Sequence, residues 1–151
     1  YPGGPEIEKL SKYRSPTSIQ FPRPMIHDKS YDFSFSGLKT SVLYYLRDNK
    51  RAKKVDVAAS FQRAVIDVLV TKTIRAAREF NAKSIILSGG VAANSALQKA
   101  MKLKAISYKL NFLSADKKFQ GDNAAMIAVA GYLTHLRQKK YPLKANGALD
   151  V

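Results

Sequence analysis

At 151 residues the chain has the length of one ordinary domain, and its 46% apolar content is enough to bury a core. Cysteine is absent, which excludes disulfide staples, thiolate metal sites and cysteine nucleophiles, and no run approaches the ~20 apolar residues that span a bilayer. Lys and Arg number 26 against 11 Asp and Glu, a net charge of +15, which raises the expectation of a polyanionic partner and of nucleic acid in particular.

The chain opens on Tyr1-Pro2-Gly3-Gly4-Pro5, neither a Met nor a signal peptide, and the expectation is a rigid turn joined to something before it. Glu6 to about Tyr13 is predicted as a short helix after Pro5, with acids where the macrodipole favours them. Arg14 to Ser30 carries Pro16, Pro22 and Pro24 and reads as an extended surface loop. Ser36 is predicted to cap a helix over Gly37 to about Asp48, with Leu38, Val42, Tyr45 and Leu46 on one face. Lys50-Arg51-Ala52-Lys53-Lys54 is a basic connection.

Val57, Phe61, Val65 and Val68 recur at helical spacing, and Ala58, Ala64, Leu69 and Ile74 widen the stripe. They predict a long central helix from about Asp56 to Phe80, in which Asp67 is a paired core carboxylate. Ser84 to Ser88 is predicted as a strand buried in a parallel sheet and stopped by Gly89-Gly90. Val91 to about Ala105 reads as a helix, Ile106 to Leu113 as a second strand, and Asp122 to about Gln138 as a last helix rich in small residues. The order helix, strand, helix, strand, helix predicts an α/β domain with parallel strands.

Two motifs carry chemistry. Gly89-Gly90-Val91-Ala92-Ala93-Asn94 sits between a strand and a helix, where glycines let the backbone turn sharply and a helix N-terminus offers N–H groups to a nucleotide or phosphate. It is neither a dinucleotide fingerprint nor a P-loop, and judged alone it reads first as an ordinary strand-to-helix turn. Gly121-Asp122-Asn123 opens the last helix, where a carboxylate caps the helix or binds a cation, although one carboxylate alone does not make a metal site. His27 and His135 lie far apart in sequence, and no Ser-His pairing or nucleophile elbow appears, so a self-contained hydrolase is excluded. The clusters Lys50–Lys54, Lys99–Lys104, Lys117-Lys118 and Lys139-Lys140 are solvated faces singly and a track for a phosphate backbone together.

Four segments in this order resemble the TsaD family, the tRNA N(6)-adenosine threonylcarbamoyltransferases once named O-sialoglycoprotein endopeptidases. They are Tyr1–Pro5, Asp32-Phe33-Ser34-Phe35-Ser36-Gly37-Leu38-Lys39-Thr40, Ser88–Asn94 and Asp122-Asn123-Ala124-Ala125-Met126-Ile127-Ala128. Phe21-Pro22-Arg23-Pro24-Met25 is similar to the bacterial branch. The resemblance implies the C-terminal half of an actin-like, sugar-kinase-like fold of the ribonuclease H-like class, helix-rich with a short parallel sheet. It implies one lobe over 1–151: a loop and helical insertion over 1–50, a nucleotide-binding α/β core over 51–141 and an irregular tail over 142–151.

The implied reaction moves a threonylcarbamoyl group from threonylcarbamoyl-AMP to N(6) of the adenosine beside the anticodon. On this resemblance Gly4 and Asn94 bind the adenylate, with Gly89 and Gly90 in the same loop, and Asp122 is one ligand of a divalent iron or zinc ion. The family's other ligands, a His-x-x-x-His pair, match nothing here, and Gly121 stands where Thr is usual. The implied partners are tRNA and TsaB-type and TsaE-type proteins, the implied location cytoplasmic, and no membrane is expected. The alternatives are a non-catalytic paralogue acting as a scaffold and an actin-like small-molecule kinase.

Overall fold

The computed structural model describes residues 3–13 and 19–138. The start of the opening turn, part of the Pro-rich segment with Pro16, Lys139-Lys140 and the predicted tail over 142–151 lie outside the described residues. Among the described residues five α-helices and two strands follow in order: α1 (Gly3–Ser11), α2 (Ser36–Asp48), α3 (Lys54–Glu79), β1 (Ser84–Leu87), α4 (Ser95–Ser107), β2 (Asn111–Ser114) and α5 (Ala124–Leu136). Short 3-10 helices precede α4 (Gly90–Ala93) and α5 (Lys117–Phe119). Among the described residues no helix is long and apolar enough to cross a membrane.

The long helix α3 is the axis, as its periodicity predicts. Its 26 residues extend for roughly 39 Å at the α-helical rise. The first half buries Val57 and Ala64 against Leu38 of α2 and Phe21. The second half buries Val70, Ile74 and Ala77 against Ile85 of β1 and Leu97, Met101 and Ala105 of α4. Two clusters along one rod explain why its apolar stripe is wide.

Helix α1 packs against α3 and begins earlier than expected. Gly3, Gly4 and Pro5 form its first turn rather than a separate rigid turn. Proline fits there because its missing N–H belongs to a turn without intrahelical acceptors. The Pro-rich segment is likewise no surface loop throughout. Phe21 is 3% exposed and meets Tyr45 edge-on with ring centroids 5.6 Å apart. The Arg23 guanidinium donates to Asp67 Oδ2 at 3.0 Å, the buried Lys72 ammonium to the carbonyls of Met25 at 3.0 Å and Asp32 at 2.6 Å, and Arg75 to that of Ser30 at 2.6 Å. Lys72 and Arg75 of α3 thus satisfy backbone oxygens of this segment, and Arg23 also donates to the Phe21 carbonyl at 2.6 Å. Asp67 is paired, as expected, between Arg23 and Arg63, the latter at 2.7 Å.

Ser36 is not the cap of α2. Phe35 holds that position with φ −113° and ψ 5°, outside the extended geometry that side-chain capping uses, and Ser36 lies inside the first turn.

Strands β1 and β2 pair in parallel, with Ser84 opposite Asn111 and Leu87 opposite Ser114, and α4 is the crossover that parallel pairing requires. The predicted two-sided burial of β1 does not hold. Ile85 and its partner Phe112 face α3 and α4, whereas Ile86 is 72% exposed and its partner Leu113 54%. Helices among the described residues cover one face only, and strand side chains alternate between faces.

The helix expected from Val91 starts at Ser95, because the loop first makes a 3-10 turn and Asn94 is extended. The strand expected from Ile106 starts at Asn111, because Ile106 and Ser107 finish α4. Both α3 and α4 end on left-handed residues, Asn81 with φ 51° and Lys109 with φ 58°. The amides three residues past each helix, of Ala82 and Leu110, reach back to Ala77 O at 2.8 Å and Ala105 O at 2.9 Å. These paired C-terminal bonds turn the chain sharply and feed it into β1 and β2.

Candidate functional site

The loop after β1 turns on one glycine. Gly89 has φ 84° and ψ 171°, a region that only glycine occupies readily. The chain then winds through Gly90–Ala93, and Asn94 caps α4 with its Oδ1 accepting from the Leu97 amide at 2.9 Å. The first turn of α1 stands opposite. Together they line a cleft of about 310 Å³ formed by Gly4, Pro5, Glu8, Gly90, Val91, Ala93 and Asn94. A Cβ added at Gly4 or Gly90 would meet nothing within 4 Å, so the cleft wall there is bare backbone beside open space.

A polar chain holds the two walls in register. Glu8 accepts from the Ser95 amide at 3.0 Å and the Ser95 hydroxyl at 2.5 Å. The carboxylate therefore sits at the positive end of α4. The Ser95 hydroxyl bond, joined by the Ser95 amide and the charges of Lys12 and Lys117, holds the Glu8 carboxyl below its ordinary value against the opposing effect of burial. Asn94 Nδ2 donates to Gln62 Oε1 at 2.7 Å, Gln62 Nε2 to Ser11 Oγ at 2.7 Å, and Ser11 Oγ to the Glu8 carbonyl at 2.8 Å. Each half of the Asn94 amide has one structural partner, which leaves one hydrogen and one lone pair for a ligand.

Gly4, Gly90 and Asn94 thus share one cleft. Gly89 sets the turn without lining it, and Asp122 lines neither wall. Asp122 is exposed, in the segment between β2 and α5. It does not cap α5. Asn123 does, with Oδ1 accepting from the Met126 amide at 3.0 Å, while its Nδ2 donates to the Gly121 carbonyl at 2.9 Å. The buried Gln120 ties this segment back to the end of β2, donating to the Ala115 carbonyl at 2.7 Å and to Ser114 Oγ at 3.1 Å. Leu87 and Ser114 are register partners, so the Gly89–Asn94 loop and the segment leading to Asp122 both leave the carboxyl end of the sheet. That is where open α/β folds place ligands.

As a metal site this donor set is incomplete. Among the described residues no three His, Cys, Asp or Glu side chains cluster. Asp122 offers one carboxylate, which fits one corner of a coordination shell and no more.

The sequence reading missed Glu8, Gln62 and Ser95. The Glu8–Ser95 contact spans 87 positions, and no spacing rule connects them. A larger groove of about 680 Å³ lies between α1, α2 and α3, lined by Ile7, Leu10, Val42 and Phe61 among others. Its lining is apolar apart from Ser36, Lys39 and Lys54, and none of the loop residues reaches it.

Residues 1–129 match the family described as TsaD: tRNA N6-adenosine threonylcarbamoyltransferase. A protein of that name from Thermosipho africanus is 52% identical over 134 residues, covering 87% of this chain and 41% of the relative. Its namesake from Moorella thermoacetica is 45% identical over 155 aligned positions, covering 100% of this chain and 45% of the relative. One from Thermotoga neapolitana is 44% identical over 146 positions, covering 97% and 45% respectively. The chain therefore spans less than half the length of these curated relatives. With more than half of its own length matched, the chain belongs to the TsaD family.

Proposed function

We propose that this chain forms the C-terminal lobe of a tRNA-modifying acyltransferase and carries half of its catalytic centre. In the proposed reaction the exocyclic amine of an adenosine in tRNA bonds to the carbamoyl carbon of threonylcarbamoyl-AMP. The bond from that carbon to the phosphate oxygen breaks, AMP leaves, and the amine loses one proton. The observation that carries this reading is the cleft joining Gly4, Gly90 and Asn94, three positions separated by up to 90 residues in sequence. Its bare backbone suits the flat face and sugar of an adenylate, and Asn94 keeps a donor and an acceptor to orient it. Glu8 and Gln62 hold the cleft walls in place rather than react.

In the same proposal Asp122 supplies one oxygen ligand to an iron or zinc ion completed by residues outside this chain. When bound, such an ion supplies Lewis acidity to the adenylate. The division into an insertion over 1–50 and a nucleotide-binding core over 51–141 belongs to this proposal. So do tRNA as the acceptor, TsaB-type and TsaE-type partners, and a cytoplasmic site of action.

The test is Asp122→Ala in the full-length protein. Asp122 is exposed, and the substitution is expected to leave folding intact while reducing tRNA modification at least a hundredfold. Unchanged modification would favour a scaffold role and contradict the proposal.

A further inference from the structure

A second cleft opens on the other side of Ser95. It encloses about 460 Å³ and is lined by Ser95, Gln98, Lys99, Lys102, Phe112 and Ser114. Lys99 and Lys102 are exposed, lie one helical turn apart on α4, and form no ion pair among the described residues. No acidic side chain lines the cleft. Phe112 is half-buried, so its ring is fixed by the core while part of it reaches the opening. Ser114 contributes a hydroxyl at the carboxyl end of β2, and Gln98 an amide whose nitrogen is already bound to the Ala92 carbonyl at 2.7 Å.

We infer that this cleft is a nucleotide subsite for the RNA substrate, with Lys99 and Lys102 on phosphates and Phe112 against a base. The inference rests on the proposed function, since it names where the acceptor RNA would touch this lobe. Two cations at fixed spacing meet a phosphate backbone, and an aromatic ring held by the core stacks an unpaired base whatever its identity. The volume suits one nucleotide rather than a helix. The position is also apt. Asn94 lines the first cleft and Ser95 the second, so RNA seated here lies one residue from the adenylate loop.

The experiment measures binding of a tRNA reading codons that begin with A to the full-length protein, by fluorescence anisotropy from about 50 to 200 mM salt. Lys99→Ala/Lys102→Ala is expected to flatten the slope of log affinity against log salt by about 1.4 to 1.8, the value for two lost phosphate contacts. Lys29→Ala/Lys39→Ala, which removes the same charge elsewhere, is expected to leave the slope unchanged. Phe112→Leu is expected to weaken binding about tenfold at constant slope. An unchanged slope in the cleft variant, or equal flattening in both double variants, overturns the inference alone. Competition by AMP that the cleft variant abolishes would assign the cleft to a free nucleotide and overturn the RNA assignment. A parent protein that does not bind tRNA overturns the inference together with the function it rests on.

Discussion

Asn94 has two structural duties that one substitution removes together. In Asn94→Ala the Leu97 amide loses its cap acceptor, which costs about 1 kcal/mol. Gln62 Oε1 also loses its donor in a part-buried position, which costs about 1 kcal/mol more. The sum, about 2 kcal/mol, is local to the start of α4, so the assay is amide hydrogen exchange at Leu97 and Gln98 in the intact protein. Their exchange is expected to accelerate about 30-fold, since 1.4 kcal/mol is a factor of ten. Asn94→Asp separates the two duties. It keeps the capping oxygen, and Gln62 can reverse its amide to donate to the new carboxylate, with Ser11 Oγ turning to the exposed Oε1. Its exchange is expected to rise less than fivefold. If Asn94→Asp accelerates exchange as much as Asn94→Ala, the capping oxygen is not what holds the loop, and the reasoning fails.

Two further predictions follow from the same region. Gly89→Ala places a Cβ on backbone at φ 84°, ψ 171° and is expected to destabilise by about 1–3 kcal/mol, read as a lower denaturation midpoint; an unchanged midpoint would refute the strain argument. Glu8 has a native-state carboxyl pKa below its unfolded value, so its stabilisation is complete above about pH 4.5 and fades as pH falls through the native value. The stability difference between the parent and Glu8→Gln is therefore expected to shrink on acidification from neutral pH, and a difference independent of pH would contradict the Glu8–Ser95 tie.

The parts of the fold visible in the sequence are those governed by local period or by backbone freedom. The stripe through Val57, Ala64, Val68 and Ile74 defines α3 because each helical turn repeats the same burial. Gly89-Gly90 marks the turn because the conformation at Gly89 excludes other residues. The family's actin-like class is matched by the helix-rich chain with a parallel β1-α4-β2 unit.

Element ends were harder to read. Lys109 and Asn81 adopt left-handed backbone without being glycine, so α4 runs through Ile106 where apolar alternation mimics a strand. Burial was misjudged at Ile86, since a continuous apolar run does not say how many faces are covered. On α5, Met126, Ile127, Val129 and Leu133 are exposed among the described residues. Of the site, the three residues that share a cleft were legible from motifs. The Glu8–Ser95 and Asn94–Gln62 ties that hold the walls together were not, because they depend on the docking of α1 and α3.

The central claim is that the gap between the first turn of α1 and the Gly90–Asn94 loop receives an adenylate. The most direct measurement is calorimetric binding of a hydrolysis-resistant threonylcarbamoyl adenylate analogue to the full-length protein and to Gly90→Leu. A side chain at residue 90 meets no protein atom within 4 Å at its Cβ and does not require positive φ, so the variant is expected to fold normally. Because Gly90 lines the cleft, the added leucine is expected to fill it and weaken binding at least a hundredfold. Equal affinity in a folded Gly90→Leu protein would contradict the assignment of this cleft to the adenylate.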